Sequence, residues 1–144
     1  MARIYIFDFN RTVYDPEKGK LLEGCQKVLE TLKKRGDKLI LVSRYEGSRE
    51  NLISELGLNQ FFEKIVITEN KTFDDFKKVV SEIGETKNVF VVGDRVRDEI
   101  SFGNRLNLTT IWLKQGIFAA ELPSREEEKP DYTVLKLEDI LNLD

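Results

Sequence analysis

A carboxylate at the end of the first apolar run is the residue most suited to chemistry. The β-forming run at residues 4–7 ends directly in Asp8, and Asn10 and Arg11 follow. A buried strand of this kind would place Asp8 at the carboxyl edge of a sheet, where open α/β folds bind ligands. A carboxylate there can act as a nucleophile or as a ligand of a hard metal ion, and we predict both roles. The simpler alternative is that Asp8 only caps a turn, which is a common use of aspartate.

Polar residues also follow three further apolar runs. The runs lie at 38–42, 64–68 and 88–92, and the polar residues after them are Ser43, Arg44, Lys71, Asp94 and Asp98. Taken singly, each of these is more common as a turn, cap or surface residue. Because the carboxyl ends of parallel strands meet at one edge of a sheet, we expect them to converge there. Four strand ends of this kind in one chain favour a single site.

The elements that would position these residues alternate along the chain. Apolar runs predict strands at 4–7, 38–42, 64–68, 88–92 and 108–113, with a short edge strand at 132–135. Helical spacing and capping residues predict helices at 26–34, 49–56, 73–83, 97–106 and 137–143. The strands are continuously apolar, which is typical of a parallel sheet covered by helices on both faces. We predict one α/β domain, a three-layer Rossmann-like fold that spans residues 1–144.

Composition narrows the possible functions. The chain has 144 residues, a net charge of −3, one cysteine (Cys25) and no histidine. Without histidine, Ser-His-Asp and Cys-His catalysis and histidine-ligated zinc sites are excluded. A lone cysteine fits a reducing compartment, no apolar run approaches the ~18 residues of a membrane span, and the first strand leaves no room for a signal peptide. We expect a cytoplasmic protein, and the charge indicates neither a membrane nor a nucleic-acid partner.

The order of the motifs resembles the haloacid dehalogenase-like (HAD) hydrolase superfamily. The stretches that carry the resemblance are DFNRTV at 8–13, LILVSR at 39–44, Lys71, VVGDRVRDE at 91–99 and PDYTVLKLEDIL at 130–141. The resemblance covers nearly the whole chain. It implies a sheet of about five strands in the order 5-4-1-2-3, in which the first and fourth strands are neighbours. Asp8 and Asp94 would then lie side by side.

The resemblance implies phosphatase chemistry on a phosphorylated substrate. Asp8 would attack the phosphoryl group and form an aspartyl phosphate, Ser43 would hydrogen-bond the phosphoryl oxygens, and Lys71 would neutralise charge. Elementary electrostatics agrees, because a carboxylate that faces a phosphate dianion needs cations to cancel the repulsion. A covalent intermediate also divides one difficult step into two.

A magnesium site is the second implication of the resemblance. Asp8, Asp94 and the backbone carbonyl of Asn10 would hold Mg²⁺. Asp98 would be a direct ligand or a neighbour of one. Mg²⁺ prefers oxygen ligands and keeps several waters, so two carboxylates and a carbonyl would suffice.

Asn10 departs from the pattern of the superfamily. Phosphatases of the superfamily carry an aspartate at this position as the general acid and base, and an amide does not exchange a proton at ordinary pH. General acid–base catalysis contributes about 10²–10⁴-fold, so we expect a slow phosphatase. Three interpretations are open: slow turnover helped by a good leaving group, phosphate binding or acceptance without turnover, or an engineered substitution that traps one state.

The sequence has no room for a cap domain over the site. Only residues 9–24 and 69–72 occupy the places where relatives insert one. We expect an open site, covered by a short flap near Tyr14 or by a neighbouring subunit of a homo-oligomer. Such a site admits small or macromolecular phosphorylated substrates, and Arg11 and Arg44 on its rim could select an anionic group.

Two other classes of function compete with an enzyme. The runner-up is a catalytically silent domain of the same fold that binds phosphate and Mg²⁺ or regulates a partner. A receiver-type phosphoacceptor also uses a strand-end aspartate with Mg²⁺ and lysine, but it accepts phosphate after the third strand, where this chain has Thr68. Dehalogenation is disfavoured because dehalogenases of the superfamily lack the metal site that Asp94 would maintain.

Overall fold

One parallel sheet organises the computed structural model, which describes residues 2–143. The strands are β1 (Ile4–Asp8), β2 (Tyr14–Asp15), β3 (Lys20–Leu21), β4 (Lys38–Arg44), β5 (Lys64–Thr68), β6 (Val89–Gly93), β7 (Thr109–Leu113) and β8 (Tyr132–Val134). The α-helices are α1 (Cys25–Lys34), α2 (Arg49–Glu55), α3 (Phe73–Ile83) and α4 (Ser101–Arg105). All strands except β2 and β3 belong to the main sheet.

The sheet has the order β5-β4-β1-β6-β7-β8, and every neighbouring pair is parallel. The five predicted strands therefore lie in the order that the resemblance implies. The count of about five is corrected to six, because the short edge strand pairs with β7 through Ile111 and Tyr132, Trp112 and Thr133, and Leu113 and Val134. The prediction of a Rossmann-like α/β domain is confirmed.

Helices cover both faces of the sheet, as the apolar strands predict. Successive side chains of β1 alternate between the layers: Tyr5 and Phe7 pack in the cluster under α1 and α2, and Ile6 packs in the cluster under α3 and α4. All three are fully buried. Burial of large apolar side chains on both faces is the main stabilising contribution and fixes β1 at the centre of the sheet.

Two of the predicted helices differ in form from the prediction. The segment predicted as a helix at 97–106 begins with a π-helical turn, Val96–Ile100, and only then continues as α4. The predicted last helix, 137–143, is instead a 3₁₀ helix, Leu137–Asn142. Both segments are short and contact neighbouring elements, and 3₁₀ and π-helical forms are typical of such short pieces.

The loop predicted before α1 contains a small hairpin. Strands β2 and β3 pair antiparallel, and the Tyr14 ring stacks on Phe9 with 5.0 Å between the ring centroids. This hairpin lies where the sequence predicts a short flap near Tyr14, and its role as a lid stays a prediction. Between residues 9 and 24 and between residues 69 and 72, the described chain holds no cap domain.

Candidate active site

The carboxyl ends of β1 and β6 bring two acidic residues together at the middle of the sheet. The strands pair directly, with Phe7 beside Val92, so Asp8 and Asp94 emerge next to each other. Asp8 is 6% exposed and Asp94 is fully buried. A buried carboxylate is costly unless cations or hydrogen bonds compensate it, so this pair requires partners.

Glu99 is the third member of this acidic group, and the sequence analysis missed it. Carboxylate oxygens of Asp8, Asp94 and Glu99 all lie within 4.8 Å of one another, and Glu99 is 2% exposed. A Cβ at Gly93 would lie 2.7 Å from the Cβ of Glu99, so only glycine allows this close approach. The π-helical turn decides which residue faces the site, and no sequence signal distinguishes Glu99 from Asp98 beforehand.

Lys71 connects two of the three carboxylates. Its ammonium donates to Asp8 Oδ1 and, at 2.6 Å, to Glu99 Oε1. The backbone of Lys71 has a φ of +47°, and its N–H donates to Thr68 Oγ1 at 2.9 Å. The turn after β5 thus holds the lysine in an unfavourable conformation that directs its ammonium into the acidic group.

Arg11 neutralises the remaining carboxylate. Its Nε donates to Asp94 Oδ2 at 2.8 Å, and its backbone also lies in the left-handed region, with a φ of +62°. The guanidinium lies 4.8 Å from the ring centroid of Phe118, and that of Arg95 lies 4.1 Å from the same ring. Stacking on an aromatic ring fixes the plane of a guanidinium and adds a favourable cation–π contact.

The electrostatics of the site leave it short of positive charge. Burial, and then the Glu99 carboxylate, raises the pKa of Asp8 to about 7, against the lowering effect of Lys71. Burial, and then Glu99, raises the pKa of Asp94 to about 6, against the effect of Arg11. Burial alone would lower the pKa of Lys71, but Asp8 and Glu99 outweigh it and raise that pKa. Lys71 is therefore charged at neutral pH, while the carboxylates compete for protons.

The predicted site residues are not all placed alike. A pocket of about 340 Å³ at this edge is lined by Asp8, Asn10, Arg11, Arg44, Asn70, Lys71, Asp94, Arg95, Asp98 and Glu99. Asp98 lies outside the acidic group and forms an ion pair with Arg95 at 3.4 Å. Ser43 is buried next to the pocket, and its hydroxyl donates to the carbonyl of Arg44 at 3.1 Å rather than lining the cavity.

The donor set of the acidic group suits a divalent cation. Asp94 Oδ1 and Glu99 Oε2 are buried and have no hydrogen-bond partner. Three carboxylates face the two cations Lys71 and Arg11, so negative charge is left over. Unpartnered buried oxygens that converge with unbalanced charge fit a hard cation better than they fit a purely structural ion-pair network.

Comparisons with known proteins agree with this architecture. The family model described as HAD-hydrolase-like matches residues 72–140. Over 127 residues the chain is 27% identical to a glyceraldehyde 3-phosphate phosphatase of Pyrococcus furiosus. The match covers 83% of this chain and 52% of that protein. The chain thus spans about half the length of this curated relative.

Solved structures show the same fold. YfnB of Bacillus subtilis, a provisionally assigned HAD-hydrolase in a structure bound to magnesium, superposes with a TM-score of 0.83 at 14% identity, over 98% of this chain and 97% of that one. A predicted phosphoglycolate phosphatase of Haemophilus somnus superposes with a TM-score of 0.68 at 17% identity, over 85% of this chain and 56% of that one.

The resemblance inferred from the sequence motifs is therefore confirmed, and the chain has the fold of HAD-like hydrolases. Its relatives include proteins named as phosphatases. Within residues 2–143, no helix has both the length and the apolar character needed to cross a membrane.

Proposed function

We propose that the protein is a Mg²⁺-dependent phosphohydrolase that acts through an aspartyl phosphate on Asp8. The observation that carries the proposal is the position of Asp8, a buried carboxylate hydrogen-bonded to Lys71 and surrounded by two further carboxylates. A nucleophile or a metal ligand gains from such an arrangement, whereas a carboxylate without a function is less costly in water. The names of its relatives support a phosphate ester as the substrate.

The first chemical step would form a bond between an Asp8 oxygen and phosphorus. The bond from phosphorus to the leaving oxygen breaks, and that oxygen takes its proton from water because Asn10 has none to give. The Lys71 ammonium would lie beside the phosphoryl oxygens and neutralise their negative charge. The Arg44 guanidinium on the pocket wall would bind the same anion. Water then attacks the phosphorus of the aspartyl phosphate, which releases phosphate and regenerates Asp8.

The metal would be held by Asp8, Asp94 and Glu99, with the backbone carbonyl of Asn10 as the fourth protein oxygen. The unpartnered oxygens of Asp94 and Glu99 support this set. Bound Mg²⁺ supplies positive charge that offsets the repulsion between phosphate and carboxylate. Asp98, half-buried and paired with Arg95, fits a supporting position at the edge of the set.

Asn10 makes the enzyme slow in this proposal. Because general acid–base catalysis contributes about 10²–10⁴-fold, substrates with good leaving groups should be favoured. The same residue favours the second candidate, a catalytically silent domain that binds phosphate and Mg²⁺ without turnover or regulates a partner. An engineered aspartate-to-asparagine change in an active phosphatase would give the same chain.

The cellular setting completes the proposal. We place the protein in the cytoplasm, because a lone cysteine fits a reducing compartment. The open edge of the sheet leaves room for small or macromolecular phosphate esters and for a neighbouring subunit as a lid.

Hydrolysis of p-nitrophenyl phosphate with Mg²⁺ tests the proposal. We expect measurable release that chelation abolishes and that Asp8→Asn lowers by at least about 10²-fold. Asp37→Asn is the matched control, since Asp37 lies at the opposite edge of the sheet, where it accepts a hydrogen bond from the Arg3 backbone N–H. If calorimetry shows binding of Mg²⁺ and phosphate but no turnover is measured, the phosphohydrolase hypothesis is wrong and the catalytically silent domain is favoured.

A further inference from the structure

Arg49 is the most poorly compensated buried cation that the structure describes. It is the first residue of α2, is 5% exposed, and its guanidinium lies 4.2 Å from the ring centroid of Phe9. Its Nη2 donates to Glu46 Oε2 at 2.9 Å, whereas its Nε and Nη1 are buried and have no acceptor. Buried polar groups nearly always have partners, so two unpaired N–H groups on a buried cation require an explanation.

Glu46 is a weak counter-ion for this arginine. Its side chain is 69% exposed, and it contacts a single nitrogen of the guanidinium. A guanidinium presents a rigid fork that matches two oxygens of a carboxylate or phosphate at once. The fork of Arg49 can bind two oxygens of one anion, but it holds only one oxygen of an exposed side chain.

Arg49 lies in a pocket that adjoins the candidate active site. The pocket has a volume of about 370 Å³ and lies between the β2–β3 hairpin and α2, with Tyr14, Ser48 and Asn51 in its wall. Asn10 lines this pocket and the pocket around Asp8, so the two meet at the residue in the general-acid position. A substrate whose phosphoryl group meets Asp8 could extend past Asn10 into this second pocket.

We propose that Arg49 binds a second anionic group, a carboxylate or a further phosphate, on the leaving-group side of the substrate. The proposal rests on the function proposed above and narrows its substrate class to phosphate esters with two anionic ends. The incoming anion displaces Glu46 from the guanidinium and occupies the fork with two oxygens. Glu46 turns into solvent, which its exposure allows.

The other acidic residue of the pocket does not oppose this assignment. Glu55 at the end of α2 is exposed, so water screens its charge. Glu46 acts as an internal competitor for Arg49 until the ligand arrives. Removal of Glu46 should therefore strengthen binding of the second anionic group, the opposite of what a purely structural ion pair would give.

Calorimetric binding to the Mg²⁺-loaded protein tests the assignment without relying on turnover. The probes are ω-carboxyalkyl phosphonates of increasing chain length, whose carbon–phosphorus bond is not hydrolysed, together with their matched ω-carboxamides. At the best-fitting length we expect the carboxylate to bind at least about tenfold tighter than the carboxamide. A parallel series of alkyl bisphosphonates distinguishes a phosphate from a carboxylate as the preferred group.

Variants of Arg49 and Glu46 test whether Arg49 causes the preference for the carboxylate over the carboxamide. Glu46→Gln should widen the carboxylate-to-carboxamide ratio about threefold or more, and Arg49→Lys, which keeps the charge but loses the fork, should bring it close to one. Glu50→Gln repeats the charge change on an exposed residue of α2 outside the pocket, and Arg105→Lys repeats the change on an arginine stacked over Phe73. Both controls should leave the ratio unchanged.

The outcomes separate the two proposals. A ratio near one at every length, or Glu46→Gln and Glu50→Gln shifts of equal size, overturns the role of Arg49. Since Glu46 is exposed, its variant should fold even where Arg49→Lys does not. Failure of p-nitrophenyl phosphate hydrolysis overturns the proposed enzyme independently, because the probes report binding alone.

Discussion

The two edges of the sheet use the same unusual backbone conformation with different residues. At the amino edge, Asn88 and Asn107 precede β6 and β7 with φ values of +64° and +62°. At the carboxyl edge, Arg11 and Lys71 follow β1 and β5 with φ values of +62° and +47°. Asparagine tolerates the left-handed region, whereas long side chains occupy it at a cost of about 1–2 kcal/mol. Arg11 and Lys71 therefore occupy their positions at the carboxyl edge for a reason other than local stability.

Charges show the same difference between the edges. At the amino edge, Lys64 pairs with Glu82 in water, with side chains 43% and 45% exposed, and such a pair contributes little. At the carboxyl edge, Lys71 lies buried between Asp8 and Glu99. Strain, buried charge and unpartnered oxygens coincide there, as expected where function has overruled stability.

Lys71→Met should produce a large loss of activity at the carboxyl edge. Removing a preorganised cation from the phosphoryl group should lower kcat/KM for p-nitrophenyl phosphate by about 10²–10³-fold. Asn88→Gly, at an amino-edge position with a similar φ, is the control and should stay within about twofold of the wild type. A Lys71→Met protein with near-normal kcat/KM would show that the strained lysine is structural, and the comparison would fail.

Asn10→Asp should raise activity and so sharpen the comparison. A carboxyl group in place of the amide can protonate the leaving oxygen, and we expect turnover to increase at least severalfold, toward the ~10²-fold of general acid catalysis. The increase should be larger for alkyl phosphates than for p-nitrophenyl phosphate, because poor leaving groups depend more on a proton. No gain, with Mg²⁺ affinity intact, would contradict the general-acid argument.

The carboxyl edge was predictable from sequence in outline because strand order follows from motif order. The two buried strands that end near Asp8 and Asp94 are recognisable from their continuous apolar runs. Parallel pairing then brings their carboxyl ends together. The capping box of Thr72 and Asp75 likewise fixes the start of α3 from local sequence alone. These features depend on interactions within a few residues or on topology.

Glu99 and Arg49 were not predictable, for a different physical reason. The choice between Asp98 and Glu99 depends on one extra residue in the π-helical turn, a detail that packing against Gly93 decides. The burial of Arg49 depends on its stacking over Phe9, a contact across 40 positions of the chain. Sequence patterns predict the periodicity of side chains in regular elements but not how a short irregular turn is rotated. The positions of Glu99 and Arg49 are therefore evident only from the structure.

The buried carboxylates should make the metal-free protein more stable in mild acid. The pKa values of Asp8 and Asp94, about 7 and about 6, exceed their ordinary value of 3.8, so the folded state binds more protons between pH 4 and 7. Stability contributed in this way grows as the pH falls from 8 to 5 and is lost as the pH rises through about 7. In EDTA, lowering the pH from 8 to 5 should raise the Tm of the wild type by a few degrees more than that of Asp8→Asn. This corresponds to about 1 kcal/mol or more in the free energy of unfolding.

Calorimetric scans of both proteins across this pH range, with and without Mg²⁺, provide the measurement. Mg²⁺ binds the ionised carboxylates and should flatten the difference. Parallel profiles for the wild type and Asp8→Asn in EDTA would show that Asp8 has an ordinary pKa, which would remove the charge shortage that distinguishes the carboxyl edge.

The smallest effect concerns what holds the strained backbone in place. Around Arg11, its own N–H donates to the Tyr14 carbonyl at 2.7 Å, and the N–H groups of Val13 and Tyr14 both donate to the Phe9 carbonyl at 2.9 Å. These bonds persist without the arginine side chain, so the positive φ is a property of the turn.

Glycine and alanine at the same position separate the turn from the side chain. If the turn fixes φ, Arg11→Gly should be more stable than Arg11→Ala by about 1 kcal/mol in urea unfolding, and Asn107→Gly should exceed Asn107→Ala by a similar amount. Both members of each pair lack the original side chain, so lost contacts such as the Arg11–Asp94 pair cancel. Equal stability of the two Arg11 variants, with the gap retained at position 107, would mean that the bond to Asp94 imposes the conformation. Function would then act on the carboxyl edge through a single ion pair rather than through the turn that follows β1.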